Sequence, residues 1–236
     1  MTARIVVLSG AGQHSDPWHA LEATSAALAQ VFADVARVEV VPTTVGAAAA
    51  IGTADLVVVN ASGDLAAPAE DSAPIVDLLD AHHREGRPIL ALHSSSLAFA
   101  DDTRWATILG GRWVPGSTMH PQIGHALVQD AHPRGDGIPH IDDFVLYDER
   151  YCGLERDSAT EVVALHTEDG LTHPLIWWRH AGAAGGAVAY DALGHGIESY
   201  ESAPRRSWLV AAATELLATT GVTHGGRPLT TVGGAA

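Results

Sequence analysis

The segment Asp55-Leu56-Val57-Val58-Val59-Asn60 is an apolar, β-branched run that lacks the polar alternation of a strand with one exposed face. Arg4-Ile5-Val6-Val7-Leu8 and Pro88-Ile89-Leu90-Ala91-Leu92 have the same character. Such runs are typical of parallel strands that are buried on both faces. The spacing of apolar residues predicts helices over 16–33, with Asp16-Pro17 at the start, and over 69–85. This alternation of strand and helix predicts an α/β fold.

The other predicted strands are mostly shorter and separated by more turns. They cover residues 35–41, 112–118, 125–128, 144–151, 161–166, 175–179 and 187–190. We interpret the whole as a doubly wound, flavodoxin-like, mostly parallel sheet with helices on both faces and a small antiparallel excursion. An amphipathic helix over 204–218 follows the last strand. We therefore predict a single domain over 1–220 and a flexible tail over 221–236, where Gly and Thr follow no period.

Composition excludes several classes of function. The chain has 236 residues, and its 13 basic residues, all arginine, face 28 acidic ones for a net charge of −15. Nucleic acid is not an expected partner because its binding needs clustered cations, and lysine-based catalysis is excluded because the chain has no lysine. A single cysteine, Cys152, excludes intramolecular disulfides and paired-thiol motifs. No apolar run could span a bilayer and no secretory signal is visible, so we predict a cytoplasmic protein with no membrane contact.

Ligands of open parallel sheets bind beyond the carboxyl ends of the strands. That rule points to residues 9–19, 60–64 and 93–96, and the 14 histidines of the chain favour a metal site or proton transfer there. His93 follows a strand directly and is placed like the nucleophile of an elbow turn, but the glycines of the serine-hydrolase elbow are absent. A dinucleotide site is not favoured, because Ser15 stands where the third glycine of its fingerprint belongs.

Seven motifs carry a resemblance to a known family. They are Gly10 to His19, Ser62-Gly63-Asp64, Leu92-His93-Ser94, Met119-His120-Pro121, Asp148-Glu149-Arg150-Tyr151, His173-Pro174-Leu175-Ile176-Trp177, and Ala192-Leu193-Gly194-His195 followed by Glu198-Ser199-Tyr200. Over residues 4–218 the chain resembles the ThuA-like, or trehalose-utilisation, family, whose fold is that of the class I glutamine amidotransferase superfamily. The resemblance implies a role in the metabolism of trehalose and related disaccharides, and a metal at the site.

The residue at the predicted elbow separates this chain from the amidotransferases. Those enzymes place a cysteine there, whereas this chain has His93, so glutamine hydrolysis through a thiolate is not expected. With Glu149 and His195 it forms a set of two histidines and one carboxylate that we predict to bind a divalent metal, zinc first.

The other predicted site residues fall into two groups. His14, His19 and His120 are the candidate acids and bases, and they are also ligand candidates of second rank. Asp64, Ser94, Tyr151 and Trp177 are the predicted substrate-binding residues, with an aromatic ring as a platform for a sugar.

These residues support one main hypothesis and two alternatives. The main hypothesis is a metal-dependent enzyme that acts on a disaccharide or an oxidised (3-keto) sugar or glycoside by lyase or hydrolase chemistry. The first alternative is a non-catalytic module that binds a sugar or metabolite on the same scaffold. The second is a metal-free hydrolase that uses Ser94 or Cys152. The expected partners are a small-molecule sugar and a second copy of the chain in a homodimer.

Overall fold

The computed structural model describes residues 2–132 and 137–220. The predicted tail over 221–236 lies outside the described residues. Eleven strands are present in the described part: β1 Arg4–Ser9, β2 Arg37–Pro42, β3 Leu56–Asn60, β4 Ile89–Leu92, β5 Gly111–Arg112, β6 Gly124–Asp130, β7 Phe144–Asp148, β8 Glu155–Arg156, β9 Glu161–Glu168, β10 Leu171–Arg179 and β11 Val188–Asp191. The helices are α1 Leu21–Val31, α2 Ala48–Gly52, α3 Ala73–Arg84, α4 Thr103–Leu109 and α5 Ala203–Ala218.

Nine of these strands form one sheet, in the order β2-β1-β3-β4-β11-β10-β9-β6-β7. The five strands from β2 to β11 are parallel, and the remaining four extend the sheet with antiparallel pairing. Strands β5 and β8 pair separately. The predicted α/β, doubly wound fold class is therefore confirmed, and its antiparallel part joins the same sheet.

The inner parallel strands are buried because helices cover them on both sides, whereas the edge strand β2 has no buried residue. Every residue of β3, β4 and β11 is buried, as the absence of polar alternation predicted. Helices α1 and α5 contact each other and the sheet, while α2, α3 and α4 form a second contacting group. Four fully buried indoles, Trp105, Trp177, Trp178 and Trp208, supply much of the core volume. No helix of the described residues is long and apolar enough to cross a membrane.

Two predicted elements differ from those observed. The helix predicted from Asp16 begins at Leu21, because the Asp16 carboxylate closes a local turn by accepting from the amides of Trp18 and His19. The strand predicted over 112–118 ends at Arg112, since the amide of Thr118 donates to the carbonyl of Val114 and closes a turn. The sequence interpretation also missed α2 and α4, which are only 5 and 7 residues long.

Candidate functional site

The carboxyl ends of four parallel strands and of β7 surround one cleft of about 570 Å³. It lies where the strand order reverses on either side of β1, as expected for a doubly wound sheet. Gly63 allows the loop after β3 to approach the turn after β4, because a Cβ there would lie 2.5 Å from the Leu97 carbonyl oxygen. The cleft is lined by Asp16, Trp18, His19, Gly63, Asp64, Leu65, Ala66, Leu97, Trp113, His120, Glu149, Tyr151 and His195.

His19 is held in a defined tautomer by Asp16. Its Nδ1 lies 2.6 Å from Asp16 Oδ2, so Nδ1–H donates to the carboxylate and leaves the lone pair on Nε2. Asp16 also accepts from the hydroxyl of Ser62. Burial opposes ionisation of Asp16, but the hydrogen bonds from His19 and Ser62 prevail and lower its pKa to about 2. Burial lowers the pKa of His19, which favours the neutral ring.

His93 presents its Nε2 to the same point from the end of β4. It has φ +44°, a conformation that non-glycine residues adopt rarely and mostly where the surroundings impose it. Its Nδ1 donates to the carbonyl of Ala192 over 2.7 Å, which again leaves the lone pair on Nε2. The Nε2 atoms of His93 and His19 are 3.0 Å apart. The elbow predicted from the sequence is present, and its side chain is buried.

Glu149 and His195 complete the cluster from the loops after β7 and β11. Glu149 Oε2 is 3.4 Å from His93 Nε2, and its Oε1 is 3.2 Å from His195 Nδ1. Burial opposes ionisation of Glu149, but the two histidines prevail and lower its pKa. The nearby carboxylate raises the pKa of His195 despite partial burial. Nδ1 of His195 is buried and makes no hydrogen bond, although Glu149 Oε1 lies 3.2 Å away.

A buried carboxylate, Asp148, fixes both of these ligand candidates. Its Oδ1 accepts from the amides of Glu149 (2.8 Å) and His195 (3.1 Å). Its Oδ2 accepts from the amide of Gly194 (2.8 Å) and from the hydroxyl of Ser199. Because one carboxylate ties the end of β7 to the loop after β11, Glu149 and His195 are held at a set separation.

The four side chains His19, His93, Glu149 and His195 each offer one ligand atom, and these atoms all lie within 4.8 Å of one another. Two histidine lone pairs that face each other over 3.0 Å repel unless a cation or a proton lies between them. Three imidazole nitrogens and one carboxylate are a ligand set suited to zinc and similar divalent metals. The residues therefore fit a metal ion, with Asp16 and the Ala192 carbonyl orienting two of the rings.

Aromatic side chains form one wall beside the cluster. The ring of Tyr151 stacks on His93 with centroids 4.5 Å apart, and its hydroxyl lies 3.0 Å from His93 Nε2. Trp113 meets Tyr151 edge-on at 4.9 Å. His120 lies beside them at the surface, with Nδ1 3.6 Å from Glu149 Oε1. Burial raises the pKa of Tyr151 well above its usual range, so the hydroxyl keeps its proton.

The predicted site residues separate into those that reach the cleft and those that do not. The predicted metal ligands His93, Glu149 and His195 lie together, with His19 as a fourth potential ligand. His120, Asp64 and Tyr151 line the cleft.

The structure does not bring His14, Ser94 or Trp177 to the cleft. His14 packs on Phe99, Ser94 donates to the carbonyl of Ala61, and the fully buried Trp177 donates to the carbonyl of Leu109. A buried indole offers no face to a sugar, so Trp177 cannot serve as the predicted platform. Cys152 is buried, and burial raises the pKa of its thiol.

Three residues of the site were missed by the sequence interpretation. Asp16 was assigned to a helix start, Asp148 was quoted only as part of a motif, and Trp18 was not considered as an aromatic platform. An aspartate directly before a proposed ligand, as in Asp148-Glu149, and one three residues before a histidine, as in Asp16 and His19, are the signals that were available.

The sequence matches the ThuA family profile, described as trehalose utilisation, over residues 4–214. The chain belongs to the ThuA family. This confirms the resemblance drawn from the motifs and places the protein in a family associated with carbohydrate utilisation. No match was found among curated proteins.

Solved structures share the ThuA fold at low sequence identity. A putative ThuA-like protein from Parabacteroides merdae is 15% identical with a TM-score of 0.72, covering 97% of this chain and 94% of that one. Another from Bacteroides uniformis is 13% identical with a TM-score of 0.69, covering 91% of each chain. A β-galactosidase from Rahnella sp. R3 is 13% identical with a TM-score of 0.60, and the match covers 94% of this chain but only 32% of that one. These similarities establish the fold.

Proposed function

We propose that this ThuA-family protein is a divalent-metal-dependent enzyme of carbohydrate metabolism, with zinc as the first candidate metal. His19, His93, Glu149 and His195 would hold the ion. The observation that carries the proposal is the 3.0 Å approach of two histidine Nε2 atoms whose Nδ1 protons are already committed to Asp16 and Ala192. A site built only for a neutral ligand has no reason to hold these lone pairs together.

The substrate class that we propose is an oxidised (3-keto) sugar or glycoside. A divalent cation held by these residues would supply Lewis-acid chemistry toward a ketone oxygen. His120 is the residue best placed to move protons, because its ring lines the cleft, is 39% exposed and can exchange with water. Tyr151 offers a protonated hydroxyl in the cleft, beside His93.

The proposed reaction is an elimination. His120 takes the proton from the carbon between the ketone and the anomeric centre, and the electron pair of that C–H bond forms a double bond to the anomeric carbon. The glycosidic C–O bond breaks, the leaving oxygen keeps its electron pair, and it takes a proton from water. The hydroxide that remains takes the proton from His120, which regenerates the base. The products are an unsaturated keto-sugar and the released alcohol.

Metal content tests the proposal before any substrate is needed. Elemental analysis after dialysis against a weak chelator compares the wild type with Glu149→Gln and His195→Ala, and with His125→Ala as an exposed histidine outside the cluster. We expect about one divalent metal per chain in the wild type and the control, and its loss in the two site variants. A wild type without metal refutes the proposal and favours the sugar-binding module instead.

Catalysis is tested with a 3-keto glycoside and the metal-loaded protein, by ultraviolet absorbance of the unsaturated ketone. We expect His120→Ala to retain the metal and lose turnover. Turnover at the wild-type rate in that variant would remove His120 from the reaction while leaving the metal site in place.

A further inference from the structure

The cleft is lined by carboxylates and histidines. Asp16, Asp64 and Glu149 contribute to its surface, and no arginine is among the lining residues that the structure describes. Asp16 and Glu149 each lie beside histidine rings of the cluster, with Asp16 2.6 Å from His19 Nδ1 and Glu149 3.2 Å from His195 Nδ1. A divalent cation would neutralise two of these three negative charges. The pocket therefore stays slightly negative even with the metal in place.

The arginine closest to the site in sequence points away from it. Arg150 directly follows Glu149, but its Nε donates to Glu168 over 3.0 Å, and it is not part of the cleft lining. Since the chain contains no lysine, arginine is the only side chain with a permanent positive charge that could contact an anionic group. A phosphate or carboxylate on a ligand would find no arginine in the described part of this cleft and, away from the metal, would face the carboxylates of the lining.

Trp18 is unusual among the tryptophans because its side chain is largely in water. It is 62% exposed, whereas Trp105, Trp177, Trp178 and Trp208 are each 2% exposed or less. Its backbone is fixed, since its amide donates to Asp16 Oδ1 over 2.8 Å and the next residue is His19. An exposed indole on a fixed backbone at the edge of a cleft provides an apolar surface for a ligand.

We propose that the cleft selects an uncharged sugar ring, that Trp18 stacks on the apolar face of that ring, and that the acidic lining rejects phosphorylated and carboxylated sugars. This inference rests on the proposed function and specifies its substrate class. Sugar rings carry their C–H bonds on faces that pack on aromatic rings. Like charges brought together in a binding site select against the wrong ligand more strongly than neutral contacts do.

Calorimetric titration of the metal-loaded protein with trehalose and with trehalose 6-phosphate tests both parts. We expect the neutral sugar to bind at least about tenfold more tightly than its phosphate. Trp18→Ala should weaken binding of the neutral sugar about tenfold, and Trp18→Phe should restore most of it, because a ring is retained. Leu171→Ala is the matched control, since Leu171 is 65% exposed but does not line the cleft.

A gain of function tests the electrostatic part independently. Leu65 is 48% exposed and lines the cleft, so Leu65→Arg places a cation at its edge. We expect this variant to bind the phosphorylated sugar about two- to fivefold more tightly than the wild type does. An unchanged affinity would overturn the electrostatic part of the inference.

The other outcomes separate this inference from the proposed function. Unchanged binding in Trp18→Ala, equal or tighter binding of the phosphate by the wild type, or binding of neither sugar overturns the inference. Metal content measured on the same samples decides the proposed function. If no metal is found but binding of the neutral sugar still depends on Trp18, the sugar site stands and the metal-dependent enzyme does not.

Discussion

Asp16→Asn is the substitution that separates a metal centre from a mere group of polar side chains. The Asp16 carboxylate uses Oδ1 for the amides of Trp18 and His19, and Oδ2 for His19 Nδ1 and the hydroxyl of Ser62. In the variant, the amide oxygen can keep the two backbone donors. The amide nitrogen then faces His19 Nδ1, where a donor meets a donor. His19 must move its proton to Nε2, which removes the lone pair from the cluster.

The size of the effect follows from the role of such orienting partners. Replacing a group that orients a metal-bound histidine costs about 10- to 100-fold in metal affinity, or about 1.4 to 2.7 kcal/mol. Here the upper part of that range is expected. Asp16 fixes the tautomer of His19 and, with a pKa of about 2, is negatively charged. Its replacement by asparagine therefore changes the tautomer of His19 and removes a negative charge beside the metal site.

The assay is competition for zinc against a chromophoric chelator, with the tautomer of His19 read from nitrogen NMR of the apoprotein. Asp55→Asn is the matched control, because Asp55 also accepts a backbone amide, that of Arg4 over 2.8 Å, but lies outside the cleft. Wild-type zinc affinity in Asp16→Asn, with His19 shown to have changed tautomer, would refute the assignment of His19 as a ligand.

Three further predictions concern stability, measured as the free energy of unfolding in urea. Gly194→Ala should cost about 3 kcal/mol, because φ is +127° and the new Cβ would lie 2.7 Å from the hydroxyl of Tyr200. Gly116→Ala is the control and should cost only about 1 kcal/mol, because φ is +82° but the space around it is open. Burial lowers the pKa of His82 from 6.5 to about 4. Between pH 6.5 and pH 4 the unfolded chain therefore binds a proton that the folded chain does not, and the free energy of unfolding decreases as the pH is lowered. Relative to His82→Gln the wild type should lose about 2 kcal/mol from pH 7.5 to pH 5, and parallel pH profiles of the two proteins would contradict this. Arg205→Leu should cost about 3 to 5 kcal/mol because it leaves the buried Asp191 without its ion-pair partner. Adding Asp191→Asn should recover part of the loss. A cost below about 1 kcal/mol in the single variant would be inconsistent with the buried pair.

The parallel half of the sheet could be predicted because its information is local. Strands such as Leu56–Asn60 are buried on both faces, and a strand in this environment consists almost entirely of apolar residues. Helix α1 shows where local information ends. Asp16-Pro17 is a good helix start by composition, yet the carboxylate is held by Ser62, 46 residues away in sequence. The helix signal of Asp16 was outweighed by the turn that its carboxylate closes with the amides of Trp18 and His19, and Ser62, which only the folded chain brings near, also holds that carboxylate.

The same distinction between local signals and long-range contacts explains which residues of the candidate site could be predicted. His93 could be proposed because it follows a parallel strand, where ligands of such sheets bind, whereas Glu149 and His195 came from the motifs that carry the family resemblance. The fourth potential ligand, His19, was placed only in the second rank, since its tautomer depends on Asp16 and its position on the rings that face it. Asp148 was hidden for a similar reason, because its four donors come from two motifs that are far apart in sequence. Side chains that orient a site are specified by contacts rather than by spacing, which is why they need the fold to be found.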